Sequence, residues 1–556
     1  MSPFPAWLTE FRQRASGFVI ALALITLFGA GLRLVKLGEY PGGFGQDEAV
    51  DMYDAWSLLA TGAEHHGDRW PLNSRQYGDS PSSLPSYITV PFVALLGPTE
   101  MAARLPCALL NVAAIPLFGL LLLGLFRSRA AAIFGAALLA VSPWNIFFSR
   151  WAVSPGFVTF FQVAGLLLMI RLFTAQAGRV RIYGAAILTG FVLFLWTHQY
   201  LSQYFFAPLM IGVGILLWNR KNWPRILVMG SVYSLFMLLA ILTRVSNPST
   251  TGRLHRECIF FADHILSNFL HNYYEYQSFL YLFHFPKMLE LHQIPSVAHI
   301  QHSLGPFYLL GLGVLLAAVF VPKRLLVILD RPSSPDDVTH WRRAALWMVA
   351  GILVAPIVGA IFTQKMYTAR MTHLLVQVLL ITSLGCAAVW YLLRRIPLRV
   401  AAPIFAIVLA VYLVKSTVKT FKGLARNDQF FKEYLQQGVP DVMRYLASQS
   451  NVRSVHFPRM LQGYIYHLCF TPVPPYKLNH AEVSPPSPGP DERWRYAEVN
   501  KVGNYYFNQD LDGVEIARTA TLRHQVRDKD RVWYDIYERN GDWFVLKHEK
   551  ISKGAP

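Results

Sequence analysis

Two adjacent carboxylates, Asp47 and Glu48, stand in the stretch GGFGQDEAVDMYDAWSLLATG, directly after the first long apolar run of the chain. A carboxylate within hydrogen-bond reach of a hydroxyl can take its proton as that oxygen attacks. Two acids at a helix start can equally be charges that complement the helix dipole. The residue types alone leave both open. A phosphate needs cationic partners, and cations flank several apolar runs: Arg75, Arg104, Arg150, Lys365 and Arg370. Each can also be an interfacial anchor whose stem lies along apolar surface while its head reaches water.

Seven of the seventeen histidines fall between 255 and 302: His255, His264, His271, His284, His292, His299 and His302. No HExxH or HxxEH pattern accompanies them, so they read as polar lining of a substrate cavity rather than a metal set. His302 is assigned to that lining, together with Tyr200. No metal ligands are assigned and no cofactor is required, although a divalent cation is compatible. The four cysteines, Cys107, Cys258, Cys386 and Cys469, form no CxxC, which excludes a zinc ribbon and a disulfide scaffold. A pairing of Cys258 with Cys469 stays open. Neither a P-loop nor a GxGxxG is present.

The elements that must position these groups follow from composition. The 556 residues are 53% hydrophobic and only 15% charged, against about 25% charged in soluble domains. A purely soluble protein is excluded. An aromatic content of 14% excludes a disordered chain. About 20 helical residues cross the hydrocarbon core. Eleven apolar runs meet that length: 17–37, 104–126, 130–148, 156–174, 182–199, 204–218, 224–243, 304–321, 343–363, 372–392 and 398–414. The 86–97 stretch is short and holds Pro91, so it reads as interfacial or re-entrant. The fold class is a polytopic α-helical membrane protein.

Charge fixes the orientation. With the N-terminus inside, the inner loops hold Arg127/Arg129, Arg179/Arg181, Arg220/Lys221/Arg225, Lys323/Arg324 with Arg342/Arg343, and Arg394/Arg395/Arg399. The alternate short loops near 149–155 and 199–203 are nearly uncharged, so the positive-inside rule selects one topology. The same rule accounts for the net charge of +18 without a nucleic-acid partner. The first run has no cleavage pattern and reads as a span, not a signal peptide.

Three long segments are then outside: 38–103, 244–303 and 415–556. In the first, Met52, Ala55, Leu58 and Leu59 recur at helical spacing. The pattern predicts an amphipathic helix over 49–60 lying along the membrane surface, with Asp51 and Asp54 on its solvated face. The tail has a soluble composition, with a helix over 440–449, a strand at 455–457 and a hairpin over 532–548 around Asn540-Gly541. It reads as a small outer α/β domain, 415–556, beside a membrane domain, 1–414.

The order of motifs resembles a family. A first span is followed by DEA, xxDAxxLLxTG and the Pro-rich YGDSPSSLPSYI, then RLPCALLNVAAIPLFGLLLLGLF and AVSPWNIFFSRWAVSPGF. HNYYEYQSFLYLF precedes the eighth span and MYTARM the tenth. This is similar to the GT-C membrane glycosyltransferases, among them the protein O-mannosyltransferases and the lipid A aminoarabinose transferase. The resemblance extends over about residues 17–415.

What it implies is an inverting transfer at the outer face, from a polyprenyl-phosphate sugar to a hydroxyl on a lipid, glycan or protein. Asp47 matches the family's acid and would be the general base, with Glu48 a supporting or metal-linked partner. Arg370 matches the basic position before a late span and would face the donor phosphate, with Arg150, Arg104 and Lys365 as further candidates. Asp79 and Ser80 stand where the aminoarabinose transferase type has a basic residue. AVSPGF carries no second acid after SPWNIFFSR. The implied location is a bacterial plasma membrane with the site on the periplasmic side.

A transporter or lipid flippase is the alternative function. It would favour internal repeats and ionisable residues within the spans, and the sequence displays neither. An assembly protein that is merely anchored would not need eleven spans.

Overall fold

Apolar runs become helices in a membrane because each backbone N–H and C=O must find its partner within the segment. The chain is described here by a computed structural model over residues 6–76, 80–174, 178–218, 223–245, 258–261, 264–284, 293–323, 334–362, 368–398, 400–458, 463–471, 499–528 and 531–548.

Among the described residues ten helices run to residue 245: α1 (Ala6–Leu34), α2 (Gln46–Thr61), α3 (Leu84–Leu96), α4 (Glu100–Phe126), α5 (Arg129–Val141), α6 (Pro143–Arg150), α7 (Ser154–Thr174), α8 (Arg179–His198), α9 (Gln203–Trp218) and α10 (Trp223–Val245). Beyond them come α11 (Ile265–Gln277), α12 (Phe279–Phe283), α13 (Gly305–Phe320), α14 (Pro335–Ala360), α15 (Thr372–Leu393) and α16 (Ala401–Arg426). Short 3-10 turns, His302–Leu304 and Thr368–Met371, lead into α13 and α15.

Among the described residues nine helices are long and apolar enough to span. A tenth candidate is the pair α5 and α6, bent by 54° where one straight span was expected over 130–148. The cause is local. Pro143 cannot continue the hydrogen-bond ladder of α5, and the Ser142 hydroxyl accepts from the Asn145 N–H to start α6 afresh. The expected span over 204–218 forms α9, whose 16 described residues rise about 24 Å against a hydrocarbon core of about 30 Å. The 86–97 stretch forms α3, equally short at 13 residues.

The chain divides into two compact units. The first comprises Met1–Leu37, Cys107–Leu242 and Leu254–Asn427; the second comprises Gly38–Pro106, Thr243–Arg253 and Asp428–Pro556. In the first, α13 and α15 meet backbone to backbone. A Cβ on Gly385 would come within 1.8 Å of the Phe307 carbonyl oxygen, and one on Gly311 within 1.9 Å of that of Ile381. Small residues at such crossings are how helices pack where the surrounding lipid supplies no hydrophobic drive.

The second unit adds α17 (Asp428–Tyr434), α18 (Val439–Ala447), α19 (Gly463–Phe470) and α20 (Gly513–Thr519) to a six-stranded mixed sheet. The strands are β1 (Ser454–Pro458), β2 (Lys501–Val502), β3 (Tyr505–Gln509), β4 (Thr521–Asp528), β5 (Arg531–Arg539) and β6 (Asp542–Lys547), in the order β2-β3-β1-β6-β5-β4. β1 runs parallel to both neighbours, β3 and β6. The hairpin β5–β6 turns at Asn540 and Gly541, whose φ values of 55° and 87° are those of a type I′ turn. Ile516 of α20 packs with Tyr537, Phe544 and Leu546 against the sheet. The helix expected over 440–449 and the strand expected at 455–457 are α18 and β1.

Candidate active site

The acidic pair sits where the chain enters α2. Gly45 is extended at the N-cap, and its N–H donates to Glu48 Oε2 at 2.9 Å. Glu48 is then gripped from a second side. Arg104 Nε donates to Oε1 at 2.8 Å and Nη2 to Oε2 at 3.1 Å, with both side chains fully buried. The same guanidinium donates to the carbonyls of Pro41 at 3.0 Å and Gly43 at 2.7 Å. Arg104 therefore ties the loop 41–43 to the first turn of α2. A buried ion pair holds only with this kind of full satisfaction.

Asp47, by contrast, is partly exposed. It shares one face of α2 with Asp51 and Asp54, four and seven residues on. The expected surface helix is corrected here. α2 extends over 46–61, and Asp51 and Asp54 are 8% and 0% exposed instead of solvated. One side of the helix packs on α3 and another on α19, so both of its faces are covered. The Tyr466 hydroxyl of α19 donates to the Phe44 carbonyl at 2.7 Å. Burial, then the charges of Asp54 and Asp47, push the Asp51 carboxyl well above the usual range, although the Ser86 and Gln76 side chains donate to it. Neighbouring acids in unlike environments are what acid–base chemistry needs.

A cavity of about 540 Å³ lies in the same unit. Glu39, Tyr40, Phe44, Glu100, Asp428 and Lys432 are among its lining residues.

Arg75 of the second unit pairs with Asp68 at 2.9 Å, whereas Arg150 and Arg370 belong to the first unit. Arg150 closes α6 and is 1% exposed. Its Nη1 donates to the carbonyls of Leu32 and Arg33, and its Nη2 to those of Val35 and Lys36, all within 2.9–3.1 Å. These are the orphan carbonyls that follow the end of α1. Beside it Arg33, with no signal in the sequence beyond its place at the end of a span, donates to the Leu139 and Ala140 carbonyls and to Asn145 Oδ1. Arg370 is buried in the turn before α15, its guanidinium carbon 4.2 Å from the centre of the Phe362 ring. Lys365 and Asp79 lie outside the described residues, as do His255 and His292.

Within the histidine-rich segment, His302 is exposed, its ring facing the Phe283 carbonyl at 2.8 Å. His299 is the buried one. It lies against Trp144 and Tyr281, and burial lowers its pKa to about 3, so the ring is neutral. Tyr200 is half-buried in the turn between α8 and α9. No disulfide joins the four cysteines, all of them buried, which answers the open pairing of Cys258 and Cys469. The buried partners Asp54 and His65 escaped the sequence reading. The run EHH at 64–66 was the available signal, and it is too short to be specific.

No family model matches the chain, and no curated protein matches it. Solved structures do. One is ArnT from Cupriavidus metallidurans, solved bound to undecaprenyl phosphate, at 14% identity over 83% of this chain and 85% of that one, with a TM-score of 0.45. Another is the oligosaccharyltransferase AglB from Archaeoglobus fulgidus, solved with an inhibitory peptide and a dolichol-phosphate, at 12% identity over 84% of this chain and a TM-score of 0.50. The same archaeal enzyme tethered to an acceptor peptide matches at 11% identity over 82% of this chain, with a TM-score of 0.51. The chain spans about 61–63% of the length of the archaeal enzyme. With its apolar helices and the small sheet of its tail, the chain is a multi-pass membrane protein with the GT-C fold.

Proposed function

We propose that the chain is a glycosyltransferase that moves a sugar, with inversion, from a polyprenyl-phosphate donor to a hydroxyl on a lipid, glycan or protein. The reaction is assigned to the outer, periplasmic face of a bacterial plasma membrane, on the basis of the basic inner loops. The observation that carries the reading is the state of Asp47. It is the partly exposed acid at the head of a buried helix, and the acid beside it is locked onto Arg104. The archaeal oligosaccharyltransferase that shares the fold was solved with a lipid phosphate, which supports the donor class.

In this reading the acceptor oxygen bonds to the anomeric carbon as the carbon–phosphate-oxygen bond breaks, and the acceptor proton passes to Asp47. The lipid phosphate departs with the bonding electrons, and a cation must meet its charge, a role that the family resemblance gives to Arg370. Glu48 and Arg104 are positioning residues that hold Asp47 at the start of α2. Arg150, with both terminal nitrogens on carbonyls, serves the end of α1.

The test is to incubate membranes holding the protein with a panel of labelled polyprenyl-phosphate sugars. Label should leave the lipid and appear on a hydroxyl acceptor; retention of every label on its lipid would defeat the proposal. In the same assay Arg370→Ala should lower turnover, and Arg370→Lys should restore part of it, because a phosphate accepts a point charge as well as a fork. Full turnover in Arg370→Ala would remove that residue from the reaction.

A further inference from the structure

The turn that follows α2 gathers two imidazoles and a carboxylate, those of His65, His66 and Glu64, with one donor atom of each within 4.8 Å of the others. Glu64 through Gly67 form a tight turn, with the Gly67 N–H on the Glu64 carbonyl at 2.8 Å and Gly67 at a φ of 89°. It is closed by a bridge between Ala63 and Arg69. The turn presents Glu64, His65 and His66 together, and α2 supplies Asp54 opposite them. His65 Nδ1 lies 2.6 Å from Asp54 Oδ1 and 3.1 Å from Glu64 Oε2; His66 Nδ1 lies 3.2 Å from the same Glu64 oxygen. Donors around a tetrahedral Zn²⁺ at 2.0–2.1 Å stand about 3.3 Å apart. The 3.1 and 3.2 Å spacings about Glu64 Oε2 are close to that value, and the 2.6 Å contact with Asp54 is a hydrogen bond.

Burial makes the arrangement demanding. The side chains of His65, Asp54 and Glu64 are 0%, 1% and 1% exposed, and His66 is 10% exposed. A hydrogen-bonded pair of Asp54 and His65 would account for two of the four groups. It leaves Glu64 buried beside Asp54, and it leaves Asp54 Oδ2 and His65 Nε2, both shut off from solvent, with no hydrogen-bond partner. A carboxylate oxygen in that condition is costly. Among the described residues this is the one place where three or more metal-type donors converge.

From this geometry we propose that Glu64, His65 and His66 form a binding site for a divalent cation of the zinc class, separate from Asp47, with Asp54 as the hydrogen-bond partner that orients His65. Two imidazoles with a carboxylate are a donor set that suits zinc. The bond-forming step is simple and balanced: the ion takes the lone pairs of the ring nitrogens and the carboxylate oxygen, and any proton it displaces from a ring nitrogen goes to solvent. The ion would order the turn 64–67, which His65 ties to Asp54 of α2, and so fix the far end of the helix that carries Asp47 at its start. His66, at the exposed edge, marks the way in.

The full chain purified in detergent, stripped with a chelator and dialysed against Zn²⁺, should retain one zinc per molecule by elemental analysis. Its unfolding midpoint should rise with zinc concentration. His66→Ala removes the rim ligand without opening the core, and should weaken zinc binding by at least roughly 10-fold, the loss that even an outer-shell partner brings. Glu64→Gln should abolish the zinc-dependent rise in midpoint. Asp47→Asn should bind zinc as the parent does, which separates this site from the transferase reading. Failure to retain zinc would overturn the site while leaving that reading intact. Unchanged affinity in His66→Ala, or loss of zinc in Asp47→Asn, would show that the ion binds elsewhere.

Discussion

Asp47→Asn is expected to cut sugar transfer by roughly 10² to 10⁴-fold, the contribution of a positioned general base. The amide keeps the shape and much of the hydrogen bonding but cannot accept the acceptor's proton. Folding should change little, because Asp47 is partly exposed at the helix start and a charge that complements the helix dipole is worth about 0.3–1 kcal/mol. Donor affinity should survive as well, since the lipid and its phosphate are held by other groups. The decisive measurement is turnover and donor binding on one folded preparation. Near-normal turnover in Asp47→Asn would end the assignment of the base and most of the case for this reaction.

Glu48→Gln should behave in the opposite way, although it changes the adjacent residue. Here the loss is in the fold. The substitution leaves the Arg104 guanidinium buried without its counter-charge, and breaking a buried pair from one side costs about 3–5 kcal/mol. Three backbone carbonyls, of Gly38, Pro41 and Gly43, stay with Arg104, and they soften the loss only in part. The unfolding midpoint should fall markedly, whereas turnover per folded molecule should fall less than in Asp47→Asn. A double-mutant cycle with Arg104→Met tests the pairing: the double variant should be less destabilised than the sum of the singles. Additive effects would mean that the two side chains do not depend on one another. A turnover loss in Glu48→Gln as deep as that in Asp47→Asn, at an unchanged midpoint, would make Glu48 a second catalytic acid.

The two substitutions differ so sharply because neighbours in sequence occupy unlike environments. Nothing in the dipeptide Asp47-Glu48 says which acid is buried. Helical geometry turns successive residues about 100° apart, so one of them must face the protein interior. The choice depends on where Arg104, 56 residues away, is carried by α4. The same holds for the cations. Arg104, Arg150 and Arg370 look alike in the sequence, each at the end of an apolar run. In the structure two of them are spent on carbonyls and a carboxylate, and the third lies against Phe362.

The polytopic membrane class, most span positions and the hairpin at Asn540-Gly541 were determined by the sequence itself, because each rests on local physics. An apolar run of about 20 residues has no stable home but the hydrocarbon core, and Asn-Gly favours the φ > 0 turn wherever two strands flank it. The tertiary structure alone decided the rest. It bent the expected span at Ser142–Pro143 and covered the polar side of α2, which had read as a surface helix. It also grouped residues 38–106 with the tail in one compact unit and brought Asp54 to His65 across eleven positions. These outcomes depend on which distant groups fill a volume and satisfy a buried charge, and a buried charge takes its partner from whatever the fold brings within hydrogen-bond reach.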